Sequence, residues 1–377
     1  MILNFQCEKF YVIVLRVFKT HRPIELQLII VKKLDNDGNL LLTSSMSDPV
    51  HVLITGAAGQ IGYVLTFRIA NGDLFGNRKV FLHLLELKPS MGMLEAVIME
   101  LNDCNFPNLA GVSGTDDVKE ACRNVDVAFL IGAIPKRANV PIQAYLERNA
   151  ITFKEQGEAL SKFAKPTVKV LVVGMPANTN CLVALCAAKN LKPENFCAMT
   201  RLDHNRVVGA ISKRINIPPE EIKRVAVWGN RSSDQVLDVS HTTVNGKPLS
   251  DYLSSINNVS KELTAIIESR TNTVMKMRGA STAASAANAA LRHMHDWLFG
   301  TAPGDFVSMA IPVPDSAPYG IHPGIVFSFP CTVNEKGEIS IVEDLELSDE
   351  IKEKIRENEQ IIRNEAQMTA DVMNGKC

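Results

Sequence analysis

The sequence predicts an α/β chain, a doubly wound parallel sheet followed by a second α+β unit. Three observations predict it. From residue 50 short apolar, β-branched runs alternate with amphipathic stretches of helical period. A glycine-rich turn, Gly56-Ala57-Ala58-Gly59-Gln60-Ile61-Gly62, joins the first run to the first helix. After about residue 200 the texture changes to longer helices mixed with hairpin-like strands. With 377 residues and 46% hydrophobic content, the chain has enough apolar material for two fused cores.

In chain order, residues 1–45 come first and carry no recognisable address. The apolar run at 10–15 is broken by Arg16 and the run at 28–31 ends at Lys32-Lys33, so neither approaches the ~18 residues of a membrane span. Glu8, Glu25, Asp35 and Asp37 argue against a transit peptide. Met46-Ser47-Asp48-Pro49-Val50 reads as a natural start. Residues 1–45 are then either an extension absent from the native protein or an accessory strand pair turning at Asp35-Asn36-Asp37-Gly38-Asn39. The strands that follow are expected at 51–55, 80–85, 125–131 and 168–173, each rich in Val, Ile and Leu and each succeeded by a turn or helix. Pro166 and Pro218-Pro219 mark helix boundaries. Helices are expected at 263–277 and 282–298, hairpin strands around 327–342, and an amphipathic helix at 349–373. The predicted division is an extension at 1–45, a first domain at 50–198 and a second at 199–373.

The charge balance of 40 basic against 41 acidic residues gives no field that favours nucleic acid or an anionic membrane. The eight cysteines are scattered, without a C-x-x-C pair, which reads as reduced thiols in a cytoplasmic protein. No histidine stands near them at zinc-ligand spacing, so no metal site is expected.

The glycine turn carries the strongest chemical signal because it follows a strand and opens a helix. Gly56 suits a tight turn, Gly59 the close approach of a pyrophosphate, and Gly62 close packing of helix on strand. Gln60 and Ile61 belong to the same cofactor loop. Glu86 closes the second strand, where a carboxylate accepts ribose hydroxyls and repels a 2'-phosphate, so NAD is expected over NADP.

Five strings in one order carry a resemblance. They are Thr55-Gly56-Ala57-Ala58-Gly59-Gln60-Ile61-Gly62, Met99-Glu100-Leu101-Asn102-Asp103-Cys104, Pro176-Ala177-Asn178-Thr179-Asn180-Cys181, Arg201-Leu202-Asp203-His204-Asn205-Arg206 and Phe299-Gly300-Thr301. From about residue 50 to 340 the chain resembles cytosolic-type malate dehydrogenases of the lactate/malate dehydrogenase superfamily. The later run from Ile311-Pro312-Val313-Pro314 to Phe329-Pro330-Cys331 resembles members from anaerobic protists, which include malate and lactate enzymes. The resemblance implies a Rossmann NAD domain and an α+β substrate domain, a homodimer, a 2-oxo or 2-hydroxy acid substrate and a place in malate metabolism and the tricarboxylic acid cycle. It places Asp203 as the partner of the catalytic histidine and Arg206 as the arginine that grips the C1 carboxylate through a planar, bidentate guanidinium. Asn149, Gln156 and Val173 fall on cofactor-side positions and Ser285 beside the pocket; for Asn149, Gln156 and Ser285 a packing or surface role is an equal alternative.

Four positions depart from the family pattern. The mobile loop has Lys136 and Ile142 where arginines are expected, Met175 replaces an asparagine, and the histidine position in Trp228-Gly229-Asn230-Arg231-Ser232 holds Arg231. An arginine keeps its proton near neutral pH and cannot act as the base in malate oxidation. Losing a positioned acid or base costs ~10²- to 10⁴-fold, about 3 to 5.5 kcal/mol. A fixed cation still polarises a carbonyl, so oxidation suffers more than reduction. Ile142 removes a charge for the second carboxylate and suits a pyruvate-like side chain, whereas Lys136 keeps charge without the fork and Arg137 offers a substitute. Met175 exchanges an amide for a weak sulfur acceptor. Arg231 also has a structural reading, as counter-charge to a buried Asp203. His204, His241, His293 and His295 are surface or packing residues in this reading. Three functions follow: a malate dehydrogenase with altered relay, a lactate-like dehydrogenase for a 2-oxo monocarboxylate, or a non-catalytic NAD-binding partner protein.

Overall fold

The computed structural model describes residues 12–15, 28–31, 48–136, 139–231, 235–253 and 256–373. It divides into two units, 1–49 and 50–377. In the first, strands Val12–Leu15 and Leu28–Val31 pair antiparallel, with Val12 opposite Val31. The turn expected at 35–39, and the candidate start at Met46, lie outside the described residues.

The second unit holds a nine-stranded sheet. Its elements in chain order are β1 (Val50–Thr55), α1 (Gln60–Asn71), β2 (Val80–Leu85), α2 (Met91–Asp103), β3 (Leu109–Thr115), β4 (Val127–Leu130), α3 (Ile142–Phe163), β5 (Lys169–Val172), α4 (Ala177–Ala187), β6 (Phe196–Ala198) and α5 (Arg201–Ile215). Then come the β7 (Ala226–Trp228) and β8 (Val236–Asp238) hairpin, α6 (Ile256–Arg278), α7 (Ala284–Phe299), β9 (Val307–Pro312), β10 (Val326–Val333), β11 (Ile339–Ile341) and α8 (Asp349–Met368). The sheet order is β11-β10-β9-β6-β5-β4-β1-β2-β3. Strands β1 to β6 run parallel, and β9, β10 and β11 add antiparallel. The strand order reverses at β1–β4, which opens a crevice at the carboxyl ends of those strands.

Successive residues of the central strands feed opposite faces, as a helix-covered sheet requires. Val52, Ile54, Leu82, Leu84 and Phe129 pack into one core, while Leu53, Ala128, Leu130, Val170 and Val172 pack into another. Each fully buried Leu, Ile or Val contributes about 1.5–3 kcal/mol, enough to fix strand register. A third core gathers around Val207, Ile211 and Val227 beside α6.

Three strands of the nine-stranded sheet differ from the expectation. Leu109–Thr115 contains Gly111 and Gly114 and forms the sheet's edge by pairing with β2; added Cβ atoms on the two glycines would lie 2.7 Å from the Phe81 and Ile98 side chains respectively. Phe196–Ala198 and Val307–Pro312 are a short strand and a strand ending in proline. Their one ladder contact, Ala310 opposite Ala198, joins the antiparallel strands to the parallel ones. Strands after residue 300 thus extend the same sheet.

Candidate active site

The first part of the site is the β1–α1 turn. Gly56 takes φ +66°, and a Cβ there would meet Gly132 Cα at 2.8 Å. A Cβ on Gly62 would fall 2.2 Å from the Gly56 carbonyl oxygen, so α1 touches the strand end only because both residues lack side chains. Gly59 caps α1 in extended conformation and brings no side chain to the helix end. The first N–H groups of α1, at Gln60 and Ile61, consequently face outward with no intrahelical acceptor, the arrangement that binds phosphate. Glu86 stands at the end of β2, where its Oε1 accepts the Ala58 N–H at 3.0 Å and its Oε2 the Leu87 N–H at 3.1 Å. These residues fit a dinucleotide: a glycine cradle for pyrophosphate and an oriented carboxylate for ribose.

The second part is a cavity of about 500 Å³ beside that turn. Ile61 from α1, Lys136 from the loop after β4, Val173 and Met175 from the β5–α4 connection, Asp203 and Arg206 from α5, and Arg231 after β7 all line it. The Asp203 side chain is 6% exposed and lies between two guanidinium groups. Arg206 Nη1 donates to Asp203 Oδ1 at 3.1 Å, and Arg231 Nε stands 3.4 Å from Oδ2. The second contact is an ion pair without hydrogen-bond geometry, since Oδ2 has no hydrogen-bond donor. Arg206 Nη2 donates to Thr271 Oγ1 at 2.8 Å, and Arg231 Nη1 to the Val173 carbonyl at 3.5 Å. Burial lowers the Arg206 pKa from its ordinary value; Asp203 opposes this, while Arg231 and Arg270 add to it. The expected Asp203–Arg231 counter-charge is present.

Residues 50–197 match the NAD binding domain of lactate/malate dehydrogenases, and residues 200–372 match their alpha/beta C-terminal domain. The chain belongs to the lactate/malate dehydrogenase family. Its NAD-binding domain and its oxidoreductase class follow from that membership. The fold is similar to that of Trichomonas vaginalis lactate dehydrogenase in complex with NADH and oxamate, with a TM-score of 0.81 and 44% identity over 85% of this chain and 98% of that one. Malate dehydrogenase from Naegleria fowleri also gives 0.81, at 38% identity over 86% and 98%. Malate dehydrogenase from Plasmodium falciparum, at 18% identity and 0.73 over 86% and 99%, shares the fold.

Three family positions stand apart from the cavity. Ile142 opens α3 and is 41% exposed, but it does not line the cavity. Asn149 is buried, and its amide is taken up by the chain: Oδ1 accepts the Ile134 N–H at 2.9 Å and Nδ2 donates to the carbonyls of Ile134 and Tyr145. It braces the loop carrying Lys136. Gln156 is buried in α3, where its Oε1 has no hydrogen-bond donor. Arg137 and Ser232 lie outside the described residues.

Among the lining residues that sequence reasoning missed are Tyr145, Gln235, Glu268 and Thr271. Tyr145 donates to the Met175 carbonyl at 2.8 Å, and burial pushes its phenol up to about 12. Its spacing of four before Asn149 was the available signal. Glu268 and Thr271 sit on α6, whose amphipathic pattern gives no hint of a pocket face.

No histidine lines the cavity among the described residues. His204 is buried against Ser308 and His293 against Cys197, both pushed down to about 3 by burial, and His241 contacts the Glu346 carbonyl. Among the described residues no metal-holding cluster forms and no helix is long and apolar enough to cross a membrane. Cys104, Cys122, Cys181, Cys197 and Cys331 are free thiols.

Proposed function

We propose that this protein is a malate dehydrogenase-type enzyme in which a fixed cation replaces the proton relay, so that solvent rather than a side chain exchanges the hydroxyl proton. The observation that carries this reading is the placement of Asp203 between Arg206 and Arg231 in one cavity next to the glycine turn. Residues 50–198 serve as the NAD domain, with Gly56, Gly59, Gln60, Ile61, Gly62 and Glu86 as its contacts, and 199–373 as the substrate domain. When bound, NAD exchanges a hydride with C2 of the acid.

Arg206 remains free to grip the C1 carboxylate with the guanidinium edge that Asp203 and Thr271 leave open. Arg231 polarises the carbonyl oxygen as a permanent N–H donor, and solvent delivers the proton. A guanidinium has no lone pair to accept that proton in the reverse direction, so solvent takes it back there. The resemblance further assigns a cytoplasmic homodimer acting in malate metabolism.

A second reading is favoured by Ile142. An uncharged residue at the lid position, together with Lys136 in place of an arginine, suits a 2-oxo monocarboxylate such as pyruvate. Steady-state assays with NADH and either oxaloacetate or pyruvate separate the two. If Ile142 sets the choice, Ile142→Arg raises the oxaloacetate-to-pyruvate ratio of kcat/KM by about tenfold or more, the worth of one charge-assisted contact. NADH binding without turnover of either acid replaces both readings with a non-catalytic NAD-binding protein.

A further inference from the structure

The turn that delivers residue 231 to the cavity is held from outside the cavity by α8. Gly229 takes φ +80° and bonds Ser328 in both directions, its N–H donating at 3.0 Å and its carbonyl accepting at 3.1 Å. That carbonyl also accepts from Asn178 Nδ2 at 3.1 Å. Asn358 Oδ1 then accepts the Asn230 N–H at 2.8 Å, and Asn230 Oδ1 accepts the Arg231 N–H at 2.8 Å. Asn230 Nδ2 reaches Glu365 Oε2 at 3.5 Å, an oxygen that also accepts from Thr179 Oγ1 at 2.7 Å.

Asn358 is 1% exposed and lies mid-helix, where an apolar residue would complete the buried stripe of Ile355 and Ile362. Burying an amide there is costly unless its polar atoms are used. Here the amide oxygen reads one backbone N–H of the turn. The fit is tight: a Cβ on Gly229 would lie 1.8 Å from Asn358 Oδ1, so the glycine is what lets the amide reach Asn230.

We propose that Asn358, on the C-terminal helix and absent from the cavity wall, is a positioning residue: by accepting the Asn230 N–H it sets the direction in which the side chain at 231 enters the cavity and meets Asp203. The inference rests on the reading above only in treating position 231 as facing substrate; the turn geometry stands without it.

Two measurements test it, one with ligand and one without. In the first, oxamate is titrated into NADH-loaded protein. Asn358→Ala is expected to weaken oxamate about 3- to 10-fold, the worth of one lost hydrogen bond, while NADH affinity changes less than twofold; Asn358→Asp, which keeps the acceptor oxygen, restores most of the loss. Equal losses for oxamate and NADH, or no loss of oxamate, overturn the proposal. In the second, Arg231→His places an imidazole beside Asp203, and NMR titration reads its pKa with no ligand present. Asp203 raises that pKa while the Arg206 and Lys136 cations and burial lower it, and adding Asn358→Ala is expected to shift it downward as the contact with Asp203 loosens. An imidazole pKa that ignores Asn358→Ala also overturns the proposal. Wild-type protein that binds no oxamate counts against the assigned function alone, since the imidazole titration still decides the role of Asn358.

Discussion

The glycine turn at 56–62 and the turn at 229–231 both border the cavity, and they are built by opposite means. In the first, the shape comes from absent side chains: Gly62 packs on Gly56 and Gly56 on Gly132, while Glu86, 28 residues beyond Ala58, accepts the Ala58 N–H. In the second, the partners come from far away: Asn178 is 51 residues from Gly229 and Asn358 is 128 from Asn230. A turn whose shape depends on missing side chains tolerates no substitution. A turn held through its backbone N–H and C=O groups leaves the side chain at 231 free to change, which explains how arginine stands there with the surrounding bonds intact.

The largest test of this contrast is Arg231→His. Since the turn is held through backbone groups, the new imidazole should meet Asp203 in place of the guanidinium. Oxaloacetate reduction is then expected to rise by at least ~10²-fold in steady-state assay. No gain would mean that Lys136, Ile142 and Met175 limit the enzyme instead.

Next in size is Gly62→Ala. The added methyl would need the space of the Gly56 carbonyl at 2.2 Å, so the backbone of the cofactor turn must shift. Overpacking of this kind costs about 1–3 kcal/mol, or roughly 5- to 150-fold in affinity if it falls on the bound turn. Fluorescence titration with NADH reads it directly, and unchanged affinity would remove the claim that glycine is required there.

Acid sensitivity, read as a melting temperature rather than a rate or an affinity, concerns the helices α5 and α7. Burial holds His204 on α5 and His293 on α7 down at about 3; for both, Arg201 adds to the shift and Asp296 opposes it. Both stay neutral when folded and take up protons when unfolded below ~6.5, so their contribution to stability is complete above that pH. It is lost as pH falls from ~6.5 toward 3, at about 1.4 kcal/mol per pH unit for each. Thermal melts are expected to give a Tm that is flat from pH 8 to 7 and falls between pH 6 and 5. A Tm that is flat to pH 5 would mean that these histidines are already solvated.

Much of the fold was legible from short stretches. The runs at 51–55 and 80–85 are apolar and β-branched, and the structure places strands at Val50–Thr55 and Val80–Leu85. The stretch 349–373 has helical spacing and folds as helix over Asp349–Met368 and Ala370–Met373. Gly111 and Gly114 concealed the edge strand, because glycine lowers strand propensity. An accessory strand pair is one of the two readings of residues 1–45, and Val12–Leu15 pairs with Leu28–Val31.

By itself the sequence determined the glycine turn, the carboxylate at Glu86, the family and the arginine at position 231. All of these are written in residue types at short spacing, where backbone geometry and side-chain chemistry act directly. Only the tertiary structure decided that Asp203 lies between two guanidinium groups, that Asn149 braces the Lys136 loop, that Thr271 steadies Arg206 and that Asn358 holds the turn before Arg231. The physical reason is that a hydrogen bond between residues a hundred positions apart leaves no periodicity in either segment. It exists only once the buried cores have set the strands and helices around it.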